Sequence, residues 1–126
     1  MEINNPEVLS EITTAFWRYT SALITNDVDI VKEMFWDSEH TLRYGKREIL
    51  YGKEAIAAFR DGQRGQPLEL EVTRLVITAF GHDFGTANCE MQIVGTPGMT
   101  TMSHSWVRMA EGWRIVAAQV SDGPPA

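Results

Sequence analysis

The chain has 126 residues and a formal net charge of −6, with 44% hydrophobic residues. That length suits one domain rather than two, and the apolar share suffices for a core. An acidic chain without a basic block excludes a nucleic-acid surface, and no run of about 18 apolar residues is present to span a membrane.

The opening stretch MEINNPEVLS has no basic region followed by an apolar one, so it does not read as a signal peptide. Asn5 reads as a helix N-cap with Pro6 at the first helical position. Val8, Leu9, Ile12, Ala15, Phe16, Tyr19 and Leu23 then recur at three- and four-residue spacing, which predicts a long amphipathic helix ending near Thr25. Asn26-Asp27 starts a second, short helix through Phe35. A brief strand is expected at Thr41–Tyr44, paired with Ile49–Tyr51. Gly52 closes that hairpin, and Lys53–Gln63 reads as a third helix.

From there the period changes to two: Leu68–Phe80, Phe84–Val94, Thr100–Ala110 and Trp113–Ser121 read as strands. Their turns fall at Gly81-His82-Asp83, at Gly95-Thr96-Pro97-Gly98 and at Glu111-Gly112. The tail Asp122–Ala126 is polar and rich in proline, and is expected to be loose. Cys89 is the sole cysteine, so no internal disulfide forms; that fits a reducing compartment and a cytoplasmic location. Helices followed by a strand meander make an α+β fold. A twisted antiparallel sheet of this length curls, and the first helix is the available cover for its concave face.

Several residues carry candidate chemistry. Arg43 lies between Leu42 and Tyr44 in the first short strand. It reads either as an edge residue with its head in water, or as a clamp whose planar fork suits a carboxylate. Tyr19 lies on the apolar helix stripe, either as a core tyrosine or as a hydroxyl offered to a substrate oxygen. Arg60, beside Phe59, is either an exposed helix arginine or a second pocket cation. His104 alternates with Met102, Trp106 and Arg108, as a core histidine with a satisfied hydrogen bond or as a pocket group. By simple alternation Gln119 shares a face with Trp113, Ile115, Ala117 and Ser121, and so comes beside His104. The three histidines lack ligand spacing, so no metal site is expected, and no cofactor motif appears. No nucleophile motif for acyl-enzyme chemistry is present either.

The order of elements, the pair FWRYTSALITNDVDIVKEMF and the closing GWRIVAAQVSDG resemble the nuclear transport factor 2-like superfamily in its SnoaL-like branch. Within it, TLRYGKREILYGKEAIAAFR and SHSWVRMAEGWRIVAAQVS resemble the AtzH-like family. The resemblance implies three N-terminal helices on a strongly curved, mixed but mainly antiparallel sheet, forming a cone with an internal pocket, usually as a homodimer. It also implies a metal-free amidohydrolase that turns 1,3-dicarboxyurea into allophanate, in nitrogen catabolism of the cyanuric-acid or oxalurate type. The family's pocket tyrosine and arginine fall on Tyr19 and Arg43. The expected partners are a small carboxylated substrate, a second copy of the chain and a pathway amidase. Two other readings stand beside this one: a non-catalytic anion-binding accessory subunit of an amidase, and a SnoaL-like isomerase or dehydratase.

Overall fold

The computed structural model describes residues 1–124. Helix α1 spans Pro6–Thr25. The Asn5 side chain accepts from the Glu7 and Val8 amides, and Asn26 ends the helix in the left-handed conformation at φ 56°. Those caps satisfy backbone groups that the helix leaves open, each worth about 1 kcal/mol. Helix α2, Val28–Glu33, is capped by Asp27. It stops two residues short of Phe35 because the chain is drawn to the sheet there. The Trp36 amide donates to Ile115 O at 3.0 Å, and the Ile115 amide donates to Met34 O at 2.8 Å. Strands β1 (Leu42–Tyr44) and β2 (Ile49–Tyr51) form the expected hairpin, and α3 covers Lys53–Asp61. Lys53 Nζ donates to Phe35 O at 2.7 Å, which ties the start of α3 to the aromatic that follows α2.

Strands β3 (Leu70–Phe80), β4 (Phe84–Ile93), β5 (Thr100–Met109) and β6 (Gly112–Asp122) follow as an antiparallel meander. Strand β1 joins its edge parallel to β6, so the sheet runs β2-β1-β6-β5-β4-β3 and is mixed. Residues of the expected loose tail fall in two places. Asp122 ends β6, whereas Pro125 and Ala126 lie outside the described residues.

Helix α1 lays Val8, Ile12, Phe16, Tyr19 and Ala22 onto the inner face of the sheet, where Ala87, Cys89, Met102, Trp106, Trp113, Ile115 and Ala118 are buried. The helix comes close because Gly85 has no side chain. A Cβ there would press on Ile12 Cδ1 and stand 2.9 Å from Thr78 O.

Two irregularities bend the sheet. One lies at Val72/Arg74 in β3. The other lies in β6, where Ser105 pairs with Ala117 but Trp106 pairs with Ile115. Val116 is therefore an extra residue, and a bulge of this kind shifts side-chain phase. Trp113 and Ile115 point inward before it, and Ala118 is the buried residue after it. Among the described residues no helix is long and apolar enough to cross a membrane.

Candidate functional site

Under α1, the inner face of the sheet gathers an unusual set of polar side chains. Arg43, Arg60 and His104 are only 7%, 8% and 2% exposed. Arg43 occupies the centre of β1, paired with Leu50 on one side and Ala118 on the other. The Arg60 side chain leaves the last turn of α3 and is buried with that of Ile56 four residues earlier. The alternative of an exposed helix arginine is thereby overturned.

The two guanidiniums share one aromatic platform. Arg43 Cζ lies 5.2 Å and Arg60 Cζ 5.6 Å from the centre of the Phe59 ring, and Arg60 is also 5.9 Å from Phe35. Their hydrogen bonding differs. Arg43 Nη1 is paired with the Glu48 carboxylate from the hairpin turn. Arg60 Nη2 donates to the Tyr19 hydroxyl at 2.8 Å, and its Nε has no partner. Burial depresses the Arg60 pKa, with Arg43 acting in the same direction against the opposing influence of Tyr19 and Glu48. Guanidinium does not give up its proton in proteins, so Arg60 stays a cation. Taking such an ion out of water without a counter-charge costs several kcal/mol.

Tyr19 holds the middle of this group. Its ring meets those of Phe35 at 5.7 Å and His104 at 5.1 Å, both edge-on. His104 also packs edge-on against Trp106 at 5.8 Å. The expected satisfied core histidine is not found, because neither ring nitrogen of His104 has a partner. Thr20 Oγ1 and Trp106 Nε1 are orphaned as well. Burial, then Arg60 and Arg43, push the His104 pKa down to about 3, so the ring is neutral at ordinary pH. A neutral imidazole has one donor and one acceptor to offer. Buried polar groups are rarely left without partners, so these orphaned atoms make the region a candidate binding site.

Beyond Arg60 lies a cavity of about 70 Å³, lined also by Leu23, Val31, Asn26, Gln63 and Gln66. The Asn26 side chain fixes part of its wall, donating to Gln63 O at 3.1 Å and Gln66 O at 3.3 Å while accepting from the Gly65 amide at 2.8 Å. The cavity admits a few waters or the head of a small acid.

Gln119 does not belong here. It is exposed and pairs with Ser103 and Tyr44 on the outer face, while the strand partner of His104 is Ala118. The Val116 bulge reverses the alternation on which its inward placement rested. Tyr19 thus touches both Arg60 and His104, Arg43 joins them across Phe59, and Gln119 is excluded. Glu48 and Phe59 are members of the cluster that sequence reasoning missed. Among the described residues no three His, Cys, Asp or Glu side chains are grouped as metal ligands would be.

Comparison with known proteins places the chain. A structure of a protein of unknown function of the DUF3225 family from Pectobacterium atrosepticum is 43% identical. The match covers 97% of this chain and 95% of that one, at a TM-score of 0.92. A cystatin-like fold protein from Burkholderia xenovorans is 38% identical over 98% of this chain and 99% of that one, at 0.91. A nuclear transport factor 2-like superfamily protein from Salmonella enterica is 26% identical over 95% and 92% of the two chains, at 0.75. No curated protein matches the sequence. The family model described as AtzH-like matches residues 1–123, and the chain belongs to the AtzH-like family, on a nuclear transport factor 2-like fold.

Proposed function

We propose that this protein is an amidohydrolase for a small carboxylated amide or urea of the 1,3-dicarboxyurea kind, acting in nitrogen-compound catabolism and yielding an allophanate-type product. The observation that carries this reading is the buried, uncompensated Arg60 cation bound to the Tyr19 hydroxyl. A substrate carboxylate supplies the missing counter-charge. The guanidinium fork grips it with two parallel hydrogen bonds that an ammonium does not reproduce. The Tyr19 oxygen accepts from Arg60, which leaves its own hydrogen free. That hydrogen donates to the carbonyl oxygen as negative charge builds on it. Water attacks the carbonyl carbon, the C–N bond breaks with its electron pair going to nitrogen, and the departing nitrogen takes up the proton that the attacking water gives up. Neutral His104 orients the water or an N–H of the substrate, and Trp106 Nε1 offers a further donor. The aromatic walls keep bulk water out, which strengthens each of these interactions.

A second reading is a non-catalytic anion-binding subunit that works beside an amidase. It is favoured by a specific feature: the site lacks a strong base among the described residues. Glu48, whose charge bears on Arg60, is engaged with Arg43, and His104 titrates near 3. The same feature ranks an isomerase or dehydratase lower, since both chemistries need a base. Purified protein, with no metal and no partner added, is incubated with dicarboxyurea-like substrates while release of the cleaved product is followed. Turnover supports the hydrolase. Binding without turnover transfers the site to the accessory role, and absence of both removes the anion reading.

We also read the outer sheet face as the seat of a homodimer. Thr86, Asn88, Ser103, Ser105 and Gln119 surround a depression of about 250 Å³ there. Light scattering at micromolar concentration is expected to give twice the chain mass, and Ser103→Arg is expected to halve it. A monomer in the unmodified protein overturns this assembly.

A further inference from the structure

One arm of the Arg43 fork is already taken by the protein itself. Glu48 closes the turn after β1, where the Gly45 amide donates to Glu48 O at 2.9 Å. Its side chain folds back over Gly45 to reach Arg43 Nη1. This path exists because Gly45 is bare: a Cβ there would collide with the Glu48 carboxylate and stand 2.7 Å from Arg43 Nη1. The partners differ in burial. The Arg43 side chain is 9% exposed and that of Glu48 is 24% exposed, so the carboxylate comes from the solvent side while the guanidinium belongs to the interior. Arg43 also reaches inward to Phe59, the ring that it shares with Arg60.

We propose that Glu48 is a built-in competitor for the Arg43 fork, a carboxylate that a ligand carboxylate displaces on binding, so that Glu48 sets the affinity and the anion selectivity of the site. This rests on the anion-site reading above and adds to it a residue that acts against the ligand. The chemistry is an exchange of like for like. A carboxylate leaves the guanidinium for water as another arrives, and Arg43 is never left buried without a counter-charge. Glu48 is placed for this because its departure exposes a turn side chain and moves no strand. Neutral amides gain nothing from the exchange, whereas carboxylates do, which makes the pair a filter for charge.

The test is calorimetric titration of the full-length protein with oxamate, a small carboxylated amide. Glu48→Gln and Glu48→Asp are compared with the parent, each with a melting curve. Aspartate keeps the charge but is one methylene too short to reach Arg43. Both variants are expected to bind oxamate about ten-fold tighter or more, in line with the release of one charge-assisted hydrogen bond. In an Arg43→Gln background the gain from Glu48→Gln is expected to vanish. A gain that persists without Arg43, or that appears with Gln and not with Asp, is an effect of the overall field and overturns the exchange. Binding by the parent with no change in either variant overturns it as well, and leaves the anion site standing. If neither parent nor variants bind oxamate or any other small carboxylate, the anion reading falls and this inference falls with it.

Discussion

Three arginines lie over aromatic rings among the described residues, and the surroundings of two of them, Arg108 and Arg60, could hardly differ more. Arg108 sits 4.9 Å over Trp113 at the rim of the sheet, with its side chain 36% exposed. It pairs with Glu11 at 2.6 Å and Asp83 at 3.3 Å, and it donates to His82 O. Arg60 is buried over Phe35 and Phe59, with one hydroxyl for a partner. The first is a fastener: every part of it is answered by the protein. The second is answered only in part: its Nε has no partner, and among the described residues no carboxylate pairs with it. Stacking alone does not separate structural from functional cations; the accounting of counter-charge does.

Substitutions at the two places should therefore have opposite signatures. The largest expected effect falls on Tyr19, the hydrogen-bonding partner of Arg60. Tyr19→Phe removes a donor aimed at developing charge, and should lower turnover about 100- to 1000-fold, or roughly 3–4 kcal/mol, with little change in substrate binding. Steady-state kinetics on the carboxylated urea, read beside a melting curve, decide this. Equal turnover in parent and variant reduces Tyr19 to a packing residue.

Next comes Arg60→Met. It keeps the stem, removes the buried charge and should raise stability by about 1–4 kcal/mol, while weakening carboxylate binding about 10- to 150-fold. Arg108→Met should do the reverse, lowering the melting temperature and leaving binding alone. Thermal melts and calorimetry of both variants test the contrast; a destabilised Arg60→Met would place that residue with the fasteners.

The smallest effect is on pH dependence. The His104 pKa is about 3 in the folded chain, against 6.5 as its ordinary value. The unfolded chain thus takes up a proton that the folded one refuses. Stability from this source is complete above pH 6.5 and falls with the pH by about 1.4 kcal/mol per unit toward 3. Between pH 6.5 and 5, before the carboxylates titrate, the parent should lose stability and His104→Gln should stay nearly flat. Denaturant melts across that window give the slope, and parallel slopes would mean that His104 is not held neutral by the fold.

The frame of the molecule was legible because it is written in periods. Three- and four-residue spacing marks α1, a two-residue period marks β3 to β6, and Gly52 and Pro6 punctuate element boundaries. Helix α2 came out longer in the sequence than in the structure, since Phe35 is apolar for the sake of the sheet rather than the helix. Arg43 stood out as a cation in an apolar strand, and it is buried. The rest of the site depends on contacts between distant segments. Glu48 lies in a GKRE turn whose composition reads as solvated, and nothing local reports that it folds back over Gly45. Gln119 was misplaced because a bulge leaves no mark in composition: Val116 looks like any other strand residue, yet it reverses the phase of all that follows. The sharing of Phe59 by two guanidiniums is likewise a matter of geometry, although the Phe59-Arg60 pair beside buried Ile56 was a usable hint.

Cys89 gives this architecture a practical use. The thiol lies on the inner face of β4 beneath α1, and burial pushes its pKa up to about 11. In that position it resists alkylation as long as the helix stays seated. It is also the sole cysteine in the sequence, so any label the chain acquires reports on one place. The rate at which a thiol reagent marks the native protein is therefore a clock for the lifting of α1 from the sheet. Run with and without a small carboxylate, the same clock tests whether that anion changes how often the helix lifts.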